Sequence, residues 1–328
     1  MIIGIGNIGS TSLKTKIVEI DEADRIRVLG EANLDRIKSP GASTFTHSVG
    51  GAPRVRETIE IQGFEAGIRF VLEWHVAQGV IRRPQDIQAM GFKCVMGVTN
   101  GANDLTPAIL EEMRRFFFVA PAHNPPYVEA IGQFRSLLDV PMVGVFEPSF
   151  HYSMPEFRRY MGLPWEWSEM GIRRLGFHGS SHRYLAATAF QLMGSERIRL
   201  ITVHLGGSSS LCAVKDGKSV DISTSFSPNS GVLQGARVGD VDATAVLYAM
   251  KELGLSVDEA QDAISNRAGL KGMAGIGTDD LRAIEEAAQS GNARARLALD
   301  LFVDGIRKFI GAYATVLGGV DCIVFGGG

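Results

Sequence analysis

Five of the seven histidines, His123, His151, His178, His182 and His204, fall between residues 123 and 204, each beside small residues or proline and off any helical or strand period. One such histidine is usually a satisfied structural residue; five in one stretch mark a candidate site. His178 and His182 have the HxxxH spacing of a zinc pair. Gly179, Ser180 and Ser181 between them argue against a helix there, and no Cys pair completes a tetrahedron, which disfavours zinc. A second candidate is Arg237, set between glycines in QGARVGDVD after Phe226-Ser227-Pro228. An arginine so placed approaches a ligand closely, and its planar fork suits phosphate or carboxylate. The alternative is a surface arginine paired with Asp240 or Asp242. The third candidate is a pair of hydroxyl-rich turns, Gly9-Ser10-Thr11-Ser12 and Gly206-Gly207-Ser208-Ser209-Ser210, with a third glycine run at Gly326-Gly327-Gly328. Backbone amides and hydroxyls in tight turns make concave anion sites. Neither turn fits GxxxxGK[ST], so a P-loop is excluded, and together the three turns point to a phosphate cradle.

These turns need strands to hold them. Residues 1–5 are apolar and 13–20 alternate, so the first turn closes a β-hairpin. Residues 200–204 and 211–214 frame the second turn in the same way, and residues 321–325 form a strand-like run before the last glycines. The recurrence suggests a duplicated domain, with two coincidental Gly/Ser turns as the alternative. Helical periodicity covers residues 63–79 (Phe64, Ile68, Val71, Leu72 and His75 on one face), 257–265 and 297–317, and Thr278-Asp279-Asp280 caps a further helix. Strands alternating with helices give an α/β protein, with a domain boundary expected near residue 150 beside Pro148.

Composition narrows the classes. Hydrophobic residues make up 45%, charged residues 21%, and the net charge is −3 with no basic run, which argues against a nucleic-acid surface. No apolar stretch is long enough to span a bilayer, and residues 1–10 read as a strand and not as a signal peptide. Cys94, Cys212 and Cys322 are widely spaced in strand-like runs, so they read as buried free thiols and a cytoplasmic protein is expected.

In order along the chain, the segments resemble the acetate kinase family, with its propionate and butyrate kinase relatives. NIGSTSLK at 7–14 is similar to NxGSSSLK, APAHNPP at 120–126 to APLHNPA, and RRLGFHGSSHRY at 173–184 to RRYGFHGTSHxY. Residues 226–242 follow FTPLEGLMMGTRSGDID in spacing. TDDLR at 278–282 resembles the adenosine-binding SxDxR segment, and the closing KFIGAYATVLGGVDCIVFGGG resembles KYIGAYxAxLxGxDAIVFTGG. The resemblance implies duplicated actin/Hsp70/sugar-kinase-like (ribonuclease H-like) α/β domains with a cleft between them. They would be an acyl-kinase domain over 1–149 and a nucleotide-binding domain over 150–328. It also implies ATP and Mg²⁺, a homodimer, and γ-phosphoryl transfer to a small carboxylate.

By the same resemblance His178, Arg237, Lys93, Glu147 and His123 are catalytic, with Asn7 and Glu147 toward the metal. Asn7, Ser10, Ser12, Lys14, His204, Gly206, Gly207, Ser208, Asp280, Leu281, Arg282, Gly326 and Gly327 serve the nucleotide. Val95, Ala122, Phe177 and Pro228 line the acyl pocket, widened because Ala122 stands where the family usually has Leu. Three positions depart. Lys93, in a segment running to Val98, replaces the family's Arg; Glu147 replaces Asp; Gly207 replaces Asn. An inactive binding protein and a kinase with another acceptor are therefore the alternative readings. The family continues beyond the equivalent of Gly328, so the second domain reads as truncated. An open nucleotide cleft, weak ATP binding and exposed faces at Val324 and on the 301–317 helix are expected from that.

Overall fold

The computed structural model describes residues 1–97 and 100–327, leaving Val98 and Gly328 of the motifs above outside the described residues. The chain divides into two compact units, Met1–Glu147 and a second beginning at Pro148.

The first unit contains β1 (Ile2–Ile8), β2 (Ser12–Ile20), β3 (Ile26–Asp35), β4 (Ser43–Val49), β5 (Val55–Ile59), α1 (Phe64–Ala77), β6 (Ala89–Cys94), β7 (Ala102–Asp104), α2 (Pro107–Arg115), α3 (Asn124–Leu137) and β8 (Met142–Phe146). Its sheet runs β5-β4-β3-β2-β1-β6-β8-β7. β1 pairs antiparallel with β2 but parallel with β6, and β6 parallel with β8. β1 is longer than the apolar run predicts, because Gly6 and Asn7 continue the ladder opposite Thr15 and Lys14. The turn proper shrinks to Gly9–Thr11, closed by the Gly9 amide on the Ser12 carbonyl at 2.9 Å. A Cβ on Gly9 would lie 2.4 Å from Ser12 Oγ, so any larger residue there would force the Ser12 hydroxyl to move.

α1 follows its predicted face, burying Phe64, Ile68, Val71, Leu72 and His75. His75 is fully buried, and neither ring nitrogen has a hydrogen-bond partner. Desolvation pushes its pKa down to about 4. The unfolded chain binds a proton below the usual imidazole pKa of about 6.5, whereas the folded chain waits until about pH 4. Stability is therefore full above about 6.5 and falls as pH drops through that window, by roughly 3 kcal/mol in all. His75→Leu should flatten the slope of urea-unfolding stability between pH 6.5 and 5. An unchanged slope would show that another group sets it.

The second unit contains α4 (Trp165–Glu169), α5 (Gly179–Met193), β9 (Arg199–His204), β10 (Ser210–Lys215), β11 (Lys218–Ile222), α6 (Ala243–Leu253), α7 (Val257–Asn266), α8 (Gly269–Ala274), α9 (Leu281–Gln289), α10 (Ala293–Leu317) and β12 (Cys322–Gly326). Its sheet order is β11-β10-β9-β12, with β12 parallel to β9. This repeats β3-β2-β1-β6 of the first unit: an antiparallel three-strand meander, then a parallel strand on the far side of its first member. The duplication read from the two turns is present in the strand order.

Some expectations need correcting. Residues 179–182 are helical, because α5 starts at Gly179 with His178 as its N-cap in the left-handed region (φ 58°). Small residues cost little in a first helical turn, where amides have no intrahelical partner. His182 is thus in a helix and not in a loop. Val324, expected to be exposed, is half-buried with Cys322 against a core of Ala186, Ala189 and Leu200. The opposite face of β12 carries the exposure, at Ile323 and Phe325, and on α10 Leu301 is exposed. Cys94 and Cys212 are buried thiols, but Cys322 is only half-buried. Among the described residues, no helix is long and apolar enough to cross a membrane.

Candidate functional site

In the first unit the C-terminal ends of the parallel strands β1, β6 and β8 bring Asn7, Lys93, Val95 and Glu147 to one end of the sheet, where open α/β sheets hold ligands. Lys93 Nζ pairs with Glu147 Oε1 at 2.9 Å. Glu147 is buried, and its second oxygen, Oε2, has no hydrogen-bond partner. Lys14 stands opposite Asn7 in the β1–β2 register, and both are exposed, as is Ser10; Ser12 is half-buried.

Two residues here were not singled out from the sequence. Tyr127, on α3, donates its hydroxyl proton to Asn7 Oδ1 (3.0 Å), and the Tyr127 hydroxyl oxygen accepts the Ile8 amide (3.3 Å). Burial pushes its pKa well up, so it stays a donor. Asn124 is fully buried, and its amide clamps the segment after β6. Oδ1 accepts the Met96 amide (3.3 Å), while Nδ2 donates to the Met96 and Met113 carbonyls (2.9 and 2.8 Å). His123, its neighbour, is the N-cap of α3. Of the proposed pocket residues, Val95 is buried and Ala122 exposed.

In the second unit the turn after β9 anchors two functional groups. Ser208 Oγ accepts from Arg237 Nη1 (2.8 Å) and donates to Gln234 Oε1 (2.7 Å). Ser210 Oγ lies 2.7 Å from His178 Nδ1. Ser208 lies in the bend and Ser210 opens β10, so a guanidinium and an imidazole are each anchored within two residues of one strand end. The loop carrying Arg237 is itself clamped. The Leu270 and Lys271 amides donate to the Gln234 and Gly235 carbonyls at 2.9 Å each, and a Cβ on Gly269 (φ 62°) would lie 2.3 Å from the Gln234 carbonyl. Desolvation lowers the pKa of Arg237, but an arginine keeps its charge in any protein setting. Asp240 and Asp242 accept the Gly231 and Thr244 amides (2.8 Å each).

The remaining histidines gather around this turn. His204 stacks on His178 with centroids 4.3 Å apart, and its Nδ1 lies 2.9 Å from Ser181 Oγ. His182 lies between Thr202 (2.7 Å) and Ser210 (2.8 Å), and His151 between Ser219 (2.9 Å) and the Phe177 carbonyl (3.0 Å). Gly206 and Gly207 are exposed at the tip of the turn. Gly326 and Gly327 meet the same turn: the Gly326 carbonyl accepts the Leu205 amide (2.7 Å), and a Cβ on Gly327 would lie 2.0 Å from the Leu205 carbonyl. Phe177 and Pro228 are buried. Asp280 caps α9 and pairs with Arg282 at 2.7 Å on the surface beside exposed Leu281, which gives that segment a local structural role as well.

The family model described as the acetokinase family matches residues 2–328. The chain belongs to the acetokinase family. It is 38% identical to the acetate kinase of Clostridium novyi (strain NT), over 98% of this chain and 81% of that protein. It is 37% identical to that of Geobacillus sp. (strain WCH70), with the same shares. Among solved structures, it matches Porphyromonas gingivalis acetate kinase with a TM-score of 0.83 and 32% identity, and a Francisella tularensis subsp. tularensis SCHU S4 propionate kinase with 0.88 and 26%. In each case all of this chain and 83% of the other are covered. The two sheets, with their repeated strand order, belong to the α/β fold shared with these two kinases.

Proposed function

We propose that the chain transfers the γ-phosphoryl of ATP to a short-chain carboxylate, yielding an acyl phosphate and ADP. A carboxylate oxygen forms the new P–O bond, and the bond between the γ-phosphorus and the β–γ bridging oxygen breaks to release ADP. The observation that carries the reading is the pair of anchors on one turn, Ser208 holding Arg237 and Ser210 holding His178. Phosphoryl transfer asks a protein for preorganised donors against charge on equatorial oxygens, more than for covalent chemistry. A guanidinium and an imidazole fixed on one strand end supply them. Exposed Ser10 on one turn and exposed Gly206 and Gly207 on the other suit phosphate groups, and His123 suits the acceptor carboxylate.

Among the described residues no group of three His, Cys, Asp or Glu could hold a metal. Mg²⁺ needs no such group, since it keeps several waters and takes one or two protein oxygens with substrate phosphates. The unpartnered Oε2 of buried Glu147 and the amide oxygen of Asn7 are hard donors of that kind, and they fit. These two residues would hold the ion, which when bound neutralises charge on the β- and γ-phosphates. A homodimer and a cytoplasmic location belong to the same proposal.

Trapping the product as a hydroxamate across a carboxylate panel tests the reaction. Ala122, small and exposed, should leave room for a longer acyl chain. Propionate or butyrate is expected to match or exceed acetate in kcat/KM. Ala122→Leu should shift the ratio toward acetate by about 10-fold, within the range a methylene or two can be discriminated. A strong acetate preference in the parent chain would contradict the wider pocket; no acyl phosphate from any carboxylate would overturn the reading.

A further inference from the structure

Ser210 sits between two imidazoles. Its Oγ is 2.7 Å from His178 Nδ1 and 2.8 Å from His182 Nε2, while His182 Nδ1 is 2.7 Å from Thr202 Oγ1. His182, Thr202 and Ser210 are fully buried. Desolvation, then the neighbouring His151, His178 and His204, push His182 well below the usual imidazole pKa, so its ring is neutral and carries one proton. Each hydroxyl also has one proton, so the chain can run in only two directions.

In the first direction His182 Nδ1–H donates to Thr202. The Thr202 proton then has no oxygen or nitrogen acceptor among the described residues and can only turn toward the thiol sulfur of Cys212, a weak acceptor. Ser210 donates to His182 and accepts from His178. In the second direction Thr202 donates to His182 Nδ1, His182 Nε2–H to Ser210, and Ser210 O–H to His178 Nδ1. Every donor then meets an oxygen or an imidazole nitrogen. A buried donor without a good acceptor costs about 1–3 kcal/mol, which selects the second direction.

We propose that Ser210 and His182 are positioning residues that keep His178 Nδ1 a hydrogen-bond acceptor, so that a ring proton sits on Nε2, from which it donates to the transferring phosphoryl. The catalytic meaning rests on the acyl-kinase reading; the direction of the hydrogen bonds does not. The titratable rings facing this chain of hydrogen bonds include His204, stacked on His178, and His151, beside His182.

The direction can be read by ¹⁵N NMR of the imidazoles in the intact chain. In the parent protein His178 should show a bare Nδ1 and a protonated Nε2; a proton on Nδ1 overturns the proposal. Ser210→Ala should raise the titration midpoint of His178, because a donor to the neutral ring disfavours its charged form. In the reverse direction serine would accept from the ring and its loss would lower the midpoint, so a lowered or unchanged value also overturns the proposal. His182→Gln keeps an acceptor toward Thr202 and a donor toward Ser210, and should preserve the midpoint. In acyl phosphate formation Ser210→Ala should lose about 10-fold or more in kcat with little change in KM, and His182→Gln far less. Equal losses in both variants would reduce the pair to a structural role. The expected NMR result without acyl phosphate formation by the parent chain would sink the functional reading and leave the hydrogen-bond order standing.

Discussion

His178→Ala and Arg237→Ala should each lower kcat by roughly 10²-fold or more while moving KM far less, as for other preorganised donors to a developing charge. Both side chains are held by serines of one turn, at 2.7 and 2.8 Å, so the protein has already lost the entropy of fixing them. Neither variant should unfold the chain. Arg237 is half-buried, and its loop is fixed by backbone hydrogen bonds that the substitution leaves in place. His178 is the N-cap of α5 but makes no side-chain cap bond. Ser208→Ala separates positioning from contact. It frees Arg237 from its anchor without removing the charge, so it should cost less than Arg237→Ala, and little more once Arg237 is gone. Near-parental kcat in both His178→Ala and Arg237→Ala would remove these residues from the transition state.

The anchors were the part of this arrangement that the sequence hid. Periodicity is local, so it revealed the face of α1 with His75 on it, and the two hairpins whose repetition gave the duplicated sheet. The motifs around His178 and Arg237 were visible because each is contiguous. Ser208, Ser210, Gln234 and Thr202 act across gaps of 20 to 32 residues, and hydroxyls in a Gly/Ser turn look alike until a partner is placed beside one. Tyr127 is the extreme case. It reaches Asn7 from 120 residues away, and in the sequence it is one more residue of a helix. The helix at Gly179 is hidden for a related reason. Glycine and serine lower propensity in a helix interior, but in a first turn the same residues are tolerated, and only the left-handed N-cap at His178 shows which applies.

Glu147→Gln should have an effect of the same order on kcat, roughly 10²-fold or more, together with a higher magnesium concentration at half-maximal rate. The substitution keeps the shape and removes the charge at a carboxylate whose Oε2 is buried without a partner. Glu147 and Lys93 act as a unit, with 2.9 Å between Nζ and Oε1 and the carboxylate almost wholly removed from water. Shortening the acid alone, as in Glu147→Asp, pulls the oxygen back by about one C–C bond and leaves the lysine short of it. Lys93→Arg alone forces a longer, planar head against an acid already in place. Made together, the two changes compensate. Contacting pairs couple by about 0.5–3 kcal/mol, so the double variant should recover about 2- to 100-fold in kcat/KM over the product of the single losses. With acetate it should at least match the parent chain if Lys93 and Glu147 are a neutral re-matching of the pair. If it abolishes activity that the parent shows on another carboxylate, the pair is tuned to that acceptor. Strict additivity of the single effects would show that the ion pair does not position Glu147, and the carboxylate would then act alone.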